Sequence, residues 1–146
     1  MKCGSRAKMM KDELKARSLA PKVAAWLVRN NRRLAQMQAQ GFELTPESAR
    51  FGLEVLTSNH VTVVPEVEQV LDATLSLEYG DLLLRIYHPR PEQALPVLVY
   101  FHGGGHMCGS IEVYDPICRK LALATNHVVV VPEYRLAPEH PYPAGL

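Results

Sequence analysis

Pro96-Val97-Leu98-Val99-Tyr100-Phe101, an apolar run, leads directly into His102-Gly103-Gly104-Gly105. Three consecutive glycines leave backbone N–H groups with no side chain to shield them, and they let the chain turn through positive φ. Donors of this kind suit the negative oxygen that forms when a carbonyl is attacked. The chemistry in reach is acyl transfer, with the backbone as the stabilising group. A second dense cluster follows, Glu133-Tyr134-Arg135-Leu136-Ala137-Pro138-Glu139-His140-Pro141.

The same residue types also bear on other chemistries. His102, His106 and Cys108 have metal-ligating side chains, but two histidines four apart converge only on a helix. The glycines between them oppose a helix, so no metal site is expected. Cys108 and Cys118 are expected to be buried structural thiols and not nucleophiles. No pair of acidic residues stands out for general acid–base work.

The elements that must position the glycines can be read from periodicity. Val97–Phe101 is apolar without alternation, the pattern of a strand buried on both faces. Ile111–Ala124 fits a helix with Ile117, Leu121 and Ala124 on one side, and Val128–Val131 fits a second buried strand. Strand, helix and strand in that order form a βαβ unit, whose strands run parallel. The glycines then lie at a strand's carboxyl end, where open α/β sheets bind ligands.

Ahead of this unit, Thr74, Ser76 and Glu78 alternate with Leu75, Leu77 and Tyr79, as in a strand with one wet face. Gly80-Asp81 is expected to turn the chain, with Leu82–Tyr87 returning as the hairpin partner. Earlier still, Leu19, Val23, Trp26, Leu27, Leu34 and Met37 follow helical steps, interrupted at Asn30, and Gly41 is the expected stop. Thr45-Pro46-Glu47 opens a second helix to about Ser58, with Phe51, Val55 and Leu56 facing inward. Pro65 lies in the linker that follows. The chain shows no internal repeat and no low-complexity tract.

The 146 residues are ordinary in composition: 47% hydrophobic, 21% charged, net charge +1. That balance calls for no nucleic acid partner. The charge is uneven, because residues 1–33 carry ten Lys/Arg against Asp12 and Glu13, whereas the other 113 carry six basic and 13 acidic residues. Residues 1–18 read as a solvated basic tail. No stretch approaches the roughly 20 apolar residues of a membrane span. Ala24–Val28 is too short for the core of a secretory signal. Cys3, Cys108 and Cys118 make no disulfide framework, so the expected compartment is the cytoplasm.

Val128-Val129-Val130-Val131-Pro132-Glu133-Tyr134-Arg135-Leu136-Ala137-Pro138-Glu139-His140-Pro141-Tyr142-Pro143 closely resembles a signature of the hormone-sensitive-lipase-like family of α/β-hydrolases. Many bacterial carboxylesterases and lipases belong to that family, and a His-Gly-Gly-Gly run is its other hallmark. The resemblance covers about Leu71 to Leu146 and is most specific from Val97 onward. It implies an α/β class: the N-terminal part of an α/β-hydrolase fold, with a mostly parallel sheet in a three-layer arrangement. Residues 19–70 would be the N-terminal helical cap region, 71–146 the first half of the core, and the fold would be incomplete at the C-terminus.

The resemblance also implies roles. Gly104 and Gly105 would supply two oxyanion-hole N–H groups, Gly103 would shape the turn, and His102 would support the loop without being the catalytic base. Tyr134, Arg135 and Glu139 would be structural, packed beneath the loop. His106 and Met107 would border the substrate. His106 stands where the family usually has an aromatic residue, and Glu133 where an Asp commonly precedes the Tyr. The implied activity is hydrolysis of short- to medium-chain acyl esters by a serine carboxylesterase, with a small-molecule ester as partner and no cofactor.

Such an enzyme needs a Gly-x-Ser-x-Gly elbow, then an acid, then a histidine. None of Ser5, Ser18, Ser48, Ser58, Ser76 and Ser110 sits in that pentapeptide. The triad is expected beyond Leu146, the 146-residue chain alone is expected to be inactive, and the Val97–Phe101 strand is expected to leave an exposed edge and a poorly soluble or loosely packed polypeptide. Two alternatives stand beside the enzyme: a binding protein on the same scaffold without a triad, and a truncated inactive product. Nothing in the sequence fixes an oligomeric state.

Overall fold

The computed structural model of the chain describes residues 19–146, and the basic tail expected at 1–18 lies outside them. The chain divides into two compact units, Met1–Glu43 and Leu44–Leu146. The first holds helix α1, Pro21–Ala39, with proline in its opening turn. The helix passes through Asn30 without a break, and Trp26, Leu27 and Met37 are half-buried while Leu19, Val23 and Leu34 are exposed. Gly41 ends it as expected. At φ +86 it donates to the Gln38 carbonyl at 3.0 Å while Phe42 N–H donates to the Met37 carbonyl at 3.0 Å, the paired bonds of a Schellman stop.

The second unit opens with helix α2, Pro46–His60. Thr45 caps it as expected, exchanging bonds with Ser48 in both directions. The inward face differs from the expectation. Phe51 is 66% exposed and Leu56 is also exposed, with Val55 half-buried. Arg50, Leu53 and Thr57, at steps of three and four, are the half-buried residues on the other side. The half-buried stripe thus includes a cation and leaves Phe51 and Leu56 outside it.

Four strands form one sheet: β1 Gln69–Leu77, β2 Gly80–His88, β3 Val97–Val99 and β4 Val128–Pro132. Their order is β1-β2-β4-β3. β1 and β2 pair antiparallel, as do β2 and β4, and β3 runs parallel to β4. The sheet is therefore mixed, and the expected parallel pair is the one that carries the glycine loop. The hairpin turn falls at Glu78-Tyr79, because Leu77 stands opposite Gly80. The Gly80-Asp81 assignment is corrected by two residues. Moving a turn by two leaves every side chain on its face, so alternation alone did not choose between them. The observed register sets Asp72 opposite Arg85, and their bidentate pair at 2.6 and 2.8 Å matches it.

Helix α3, Ile111–Thr125, connects β3 to β4 and is capped by Ser110. Its buried side carries Ile111, Cys118 and Ala122 against Tyr87, Val129 and Val131 of the sheet. Ile117 is 44% exposed and Ala124 is exposed, whereas Leu121 packs at the edge of this core. The expected face is rotated, with Ile111, Cys118 and Ala122 turned to the sheet in place of Ile117 and Ala124. Small side chains at Cys118 and Ala122 bring the helix axis close to the sheet, which the bulkier residues would prevent.

α3 covers one face of the sheet. On the opposite face Leu71, Leu75, Leu77, Val97, Val99 and Phe101 are uncovered among the described residues, Val97 to 62%. The β3 ladder is also shorter than expected, although Tyr100 N–H still donates to the Val130 carbonyl at 2.8 Å. β3 is thus an edge strand with only Leu98 turned to the core, not a strand buried on both faces. Two of the three expected layers are present among the described residues.

The rotation of α3 is open to a stability test. Ala122→Leu, which overfills the helix–sheet contact, is expected to cost about 1–3 kcal/mol in urea unfolding. Ile117→Ala is expected to change stability by no more than about 0.5 kcal/mol. The reverse ranking would restore the face with Ile117 inward.

Candidate active site

Beyond β3 the chain enters a turn built mostly on positive φ. Gly104 has φ +132, Gly105 +64, His106 +57 and Gly109 +101, so four of six residues lie in the left-handed region. Two of these glycines are also sterically required. A Cβ on Gly104 would collide with the Cys108 carbonyl, and one on Gly109 would lie 2.5 Å from His102 Nδ1 and 2.7 Å from the Gly103 oxygen. The turn closes when Met107 N–H and Cys108 N–H both donate to the Gly104 carbonyl, at 3.2 and 3.0 Å. The N–H groups of Gly103, Gly104 and Gly105 donate to no acceptor among the described residues.

His102 holds this turn from beneath. It is 3% exposed and stacks between the rings of Tyr134 at 4.4 Å and Tyr114 at 5.4 Å. The Tyr134 hydroxyl donates to the His102 carbonyl at 2.6 Å. Its oxygen lies 3.2 Å from His102 Nδ1, which is also 2.9 Å from the Gly103 carbonyl. A carbonyl only accepts, and the Tyr134 proton is already used, so Nδ1 carries the imidazole proton. Nε2 is buried without a partner among the described residues.

The second cluster runs alongside. Glu133 Oε2 accepts from Ile111 N–H at 2.7 Å, so the longer acid that replaces the expected Asp reaches the first turn of α3. Ala137 N–H donates to the His106 carbonyl at 2.8 Å. Arg135 is exposed. His106 is exposed too, with its ring edge-on to Tyr134 at 5.9 Å. A cavity of about 480 Å³ is floored by His102 and Gly103–Gly105 and bounded by Phe101, His106 and Tyr134. A second, of about 330 Å³, lies between His106, Arg135, His140 and Tyr142. The structure thus gathers His102, the three glycines and His106 around one cavity, while Met107 lines neither.

Sequence reasoning missed Arg50. From α2 its Nε donates to the Met107 carbonyl at 2.8 Å and its Nη2 to the Ala137 carbonyl at 2.9 Å. The same guanidinium grips Glu139 with both Nη groups, at 2.8 and 2.7 Å. An arginine at steps of three and seven before Leu53 and Thr57 on one helix face was the available signal.

The cysteines do not resemble nucleophiles. Cys108 and Cys118 are buried and free, and burial, with Asp115 nearby, pushes the Cys118 thiol up to about 12. Among the described residues no three His, Cys, Asp or Glu side chains converge as a metal site. No helix among them is long and apolar enough to cross a membrane.

Residues 98–146 match a protein family described as having the alpha/beta hydrolase fold. The chain is 45% identical over 87 residues to the esterase LipI of Mycobacterium tuberculosis, covering 58% of this chain and 27% of that protein. It is 32% identical over 102 residues to the gibberellin receptor GID1C of Arabidopsis thaliana, covering 68% of this chain and 28% of the receptor. Among solved structures, an esterase of Pyrobaculum calidifontis superposes with a TM-score of 0.65 at 38% identity, over 70% of this chain and 34% of that one. The chain spans about a quarter of the length of these two curated relatives.

The Arg50–Glu139 pair gives a pH expectation. The Arg50 hydrogen bonds hold the Glu139 carboxyl at about 2, below its ordinary 4.5. A depressed carboxyl stabilises the folded state fully above 4.5, and the contribution is lost as pH falls toward 2. In a carboxyl-carbon NMR titration Glu139 is expected to titrate near 2 and, in Arg50→Ala, to rise toward 4.5. An unshifted midpoint in the variant would show that the pair does not form in solution.

Proposed function

We propose, from the premise that this chain belongs to the hormone-sensitive-lipase-like α/β-hydrolases, that it carries the oxyanion-binding part of a carboxylic-ester hydrolase. The observation that supports this most is the row of unspent N–H groups at Gly103–Gly105, beyond the carboxyl end of β3, on residues that line a cavity. In this reading an ester carbonyl sits over the turn. As a nucleophile attacks carbon, the carbonyl oxygen gains negative charge and accepts hydrogen bonds from Gly104 and Gly105 N–H. Collapse of the tetrahedral intermediate expels the alcohol, and water then releases the acid.

Donors fixed in advance need no reorganisation when charge appears, and each can contribute about 3–4 kcal/mol to the transition state. Gly103 shapes the turn, His102 braces it, and His106 borders the acyl group at the cavity mouth. An imidazole there is smaller and more polar than a phenyl or indole ring, so the acyl preference at this position departs from that of relatives with the larger ring. None of the 146 residues forms a serine elbow, so the nucleophile, acid and base are assigned to sequence outside them. The two buried free thiols fit the cytoplasm.

A binding protein is the second reading, supported by the similarity to the gibberellin receptor. The same N–H row would then hold an anionic oxygen of a ligand without any turnover.

The test is a chimera in which this chain replaces the matching segment of the LipI esterase. It is expected to hydrolyse p-nitrophenyl butyrate, and Gly104→Ala is expected to lower kcat about 100-fold or more. The 146-residue chain alone is expected to give no turnover. Undiminished activity in the Gly104→Ala chimera would remove the oxyanion assignment, and turnover by the chain alone would put a nucleophile within it.

A further inference from the structure

We infer that Arg50 is a positioning residue for the glycine turn: from helix α2 it fixes the direction of the Gly105 N–H through Met107. The argument follows peptide planes. The Gly104 carbonyl and the Gly105 N–H belong to one planar, trans peptide group and point in opposite directions. That carbonyl is held by Met107 N–H and Cys108 N–H, so the Gly105 N–H is turned away from the closed side of the turn. Met107 is gripped at its other end, because its carbonyl accepts from Arg50 Nε at 2.8 Å.

Arg50 reaches the second loop as well. Nη2 donates to the Ala137 carbonyl at 2.9 Å, and Ala137 N–H is bonded in turn to the His106 carbonyl. Glu139 accepts from both Nη groups and holds the far end of the fork. One side chain therefore fastens α2, the glycine turn and the segment after β4. Only a planar guanidinium presents donors in this arrangement. A lysine keeps the charge but is a point donor on a flexible stem. The catalytic meaning of the clamp rests on the esterase reading, whereas the clamp itself does not.

The experiment is amide hydrogen exchange, followed by NMR on the chimera with the LipI esterase, with Arg50→Lys and Glu139→Gln introduced into it. In Arg50→Lys the amides of Met107 and Cys108 are expected to exchange at least about ten-fold faster, with Val129 and Val131 in the core changing less than about two-fold. Glu139→Gln, at an exposed carboxylate, is expected to give a smaller acceleration at the same two amides. Unchanged Met107 and Cys108 exchange in Arg50→Lys would overturn the inference. So would equal acceleration of Val129 and Val131, which would reduce Arg50 to a contributor to global stability. If Arg50→Lys does not fold, Glu139→Gln decides by the same criterion. An active chimera with unchanged exchange would sink the clamp alone. Accelerated exchange beside an inert chimera would sink the esterase reading alone.

Discussion

The parallel pairing of Val97–Val99 with Val128–Val130 determines where the other parts of the site go. Two parallel neighbours need a crossover, and here α3 supplies it. Their carboxyl ends point the same way, so the glycine turn and the Glu133–His140 segment leave the sheet side by side. Tyr134 can then reach the His102 carbonyl, Ala137 can bond His106, and Glu133 can meet the first N–H of α3. An antiparallel pair would send the two segments to opposite ends, and none of these bonds would form.

Glycine frees the backbone at the cost of order, and the surrounding contacts restore that order. Each glycine loses more conformational freedom on folding than another residue would, and the turn has three in succession. The His102 stack between two tyrosines, the doubly used Gly104 carbonyl and the Arg50 fork supply rigidity from outside the turn. Bonds that shape the turn use carbonyls and the N–H groups of Met107 and Cys108, leaving the glycine N–H groups without an acceptor among the described residues.

Much of this was legible in the chain, for identifiable reasons. Glycine's steric freedom and the unbroken valine run mark the turn and the βαβ unit directly, and Thr45 and Gly41 announce helix ends through local bonds. Longer-range choices were not legible. The hairpin turn moved by two residues because alternation has a period of two. The α3 face was misassigned because close approach to a sheet selects Cys118 and Ala122 over Ile117. The exposure of Val97 and Val99 depends on what lies beside β3, which its own residues do not encode. Arg50 escaped notice because a lone cation on a helix normally faces water. Its partners at Met107, Ala137 and Glu139 are distant in sequence.

The most direct measurement is a crystal structure of the chimera with LipI after reaction with a phosphonate ester, a mimic of the tetrahedral intermediate. A phosphoryl oxygen within about 2.7–3.1 Å of both the Gly104 and Gly105 nitrogens is the result expected of a preformed oxyanion socket. A phosphoryl oxygen bound elsewhere, with the glycine N–H groups still unbonded, would contradict it.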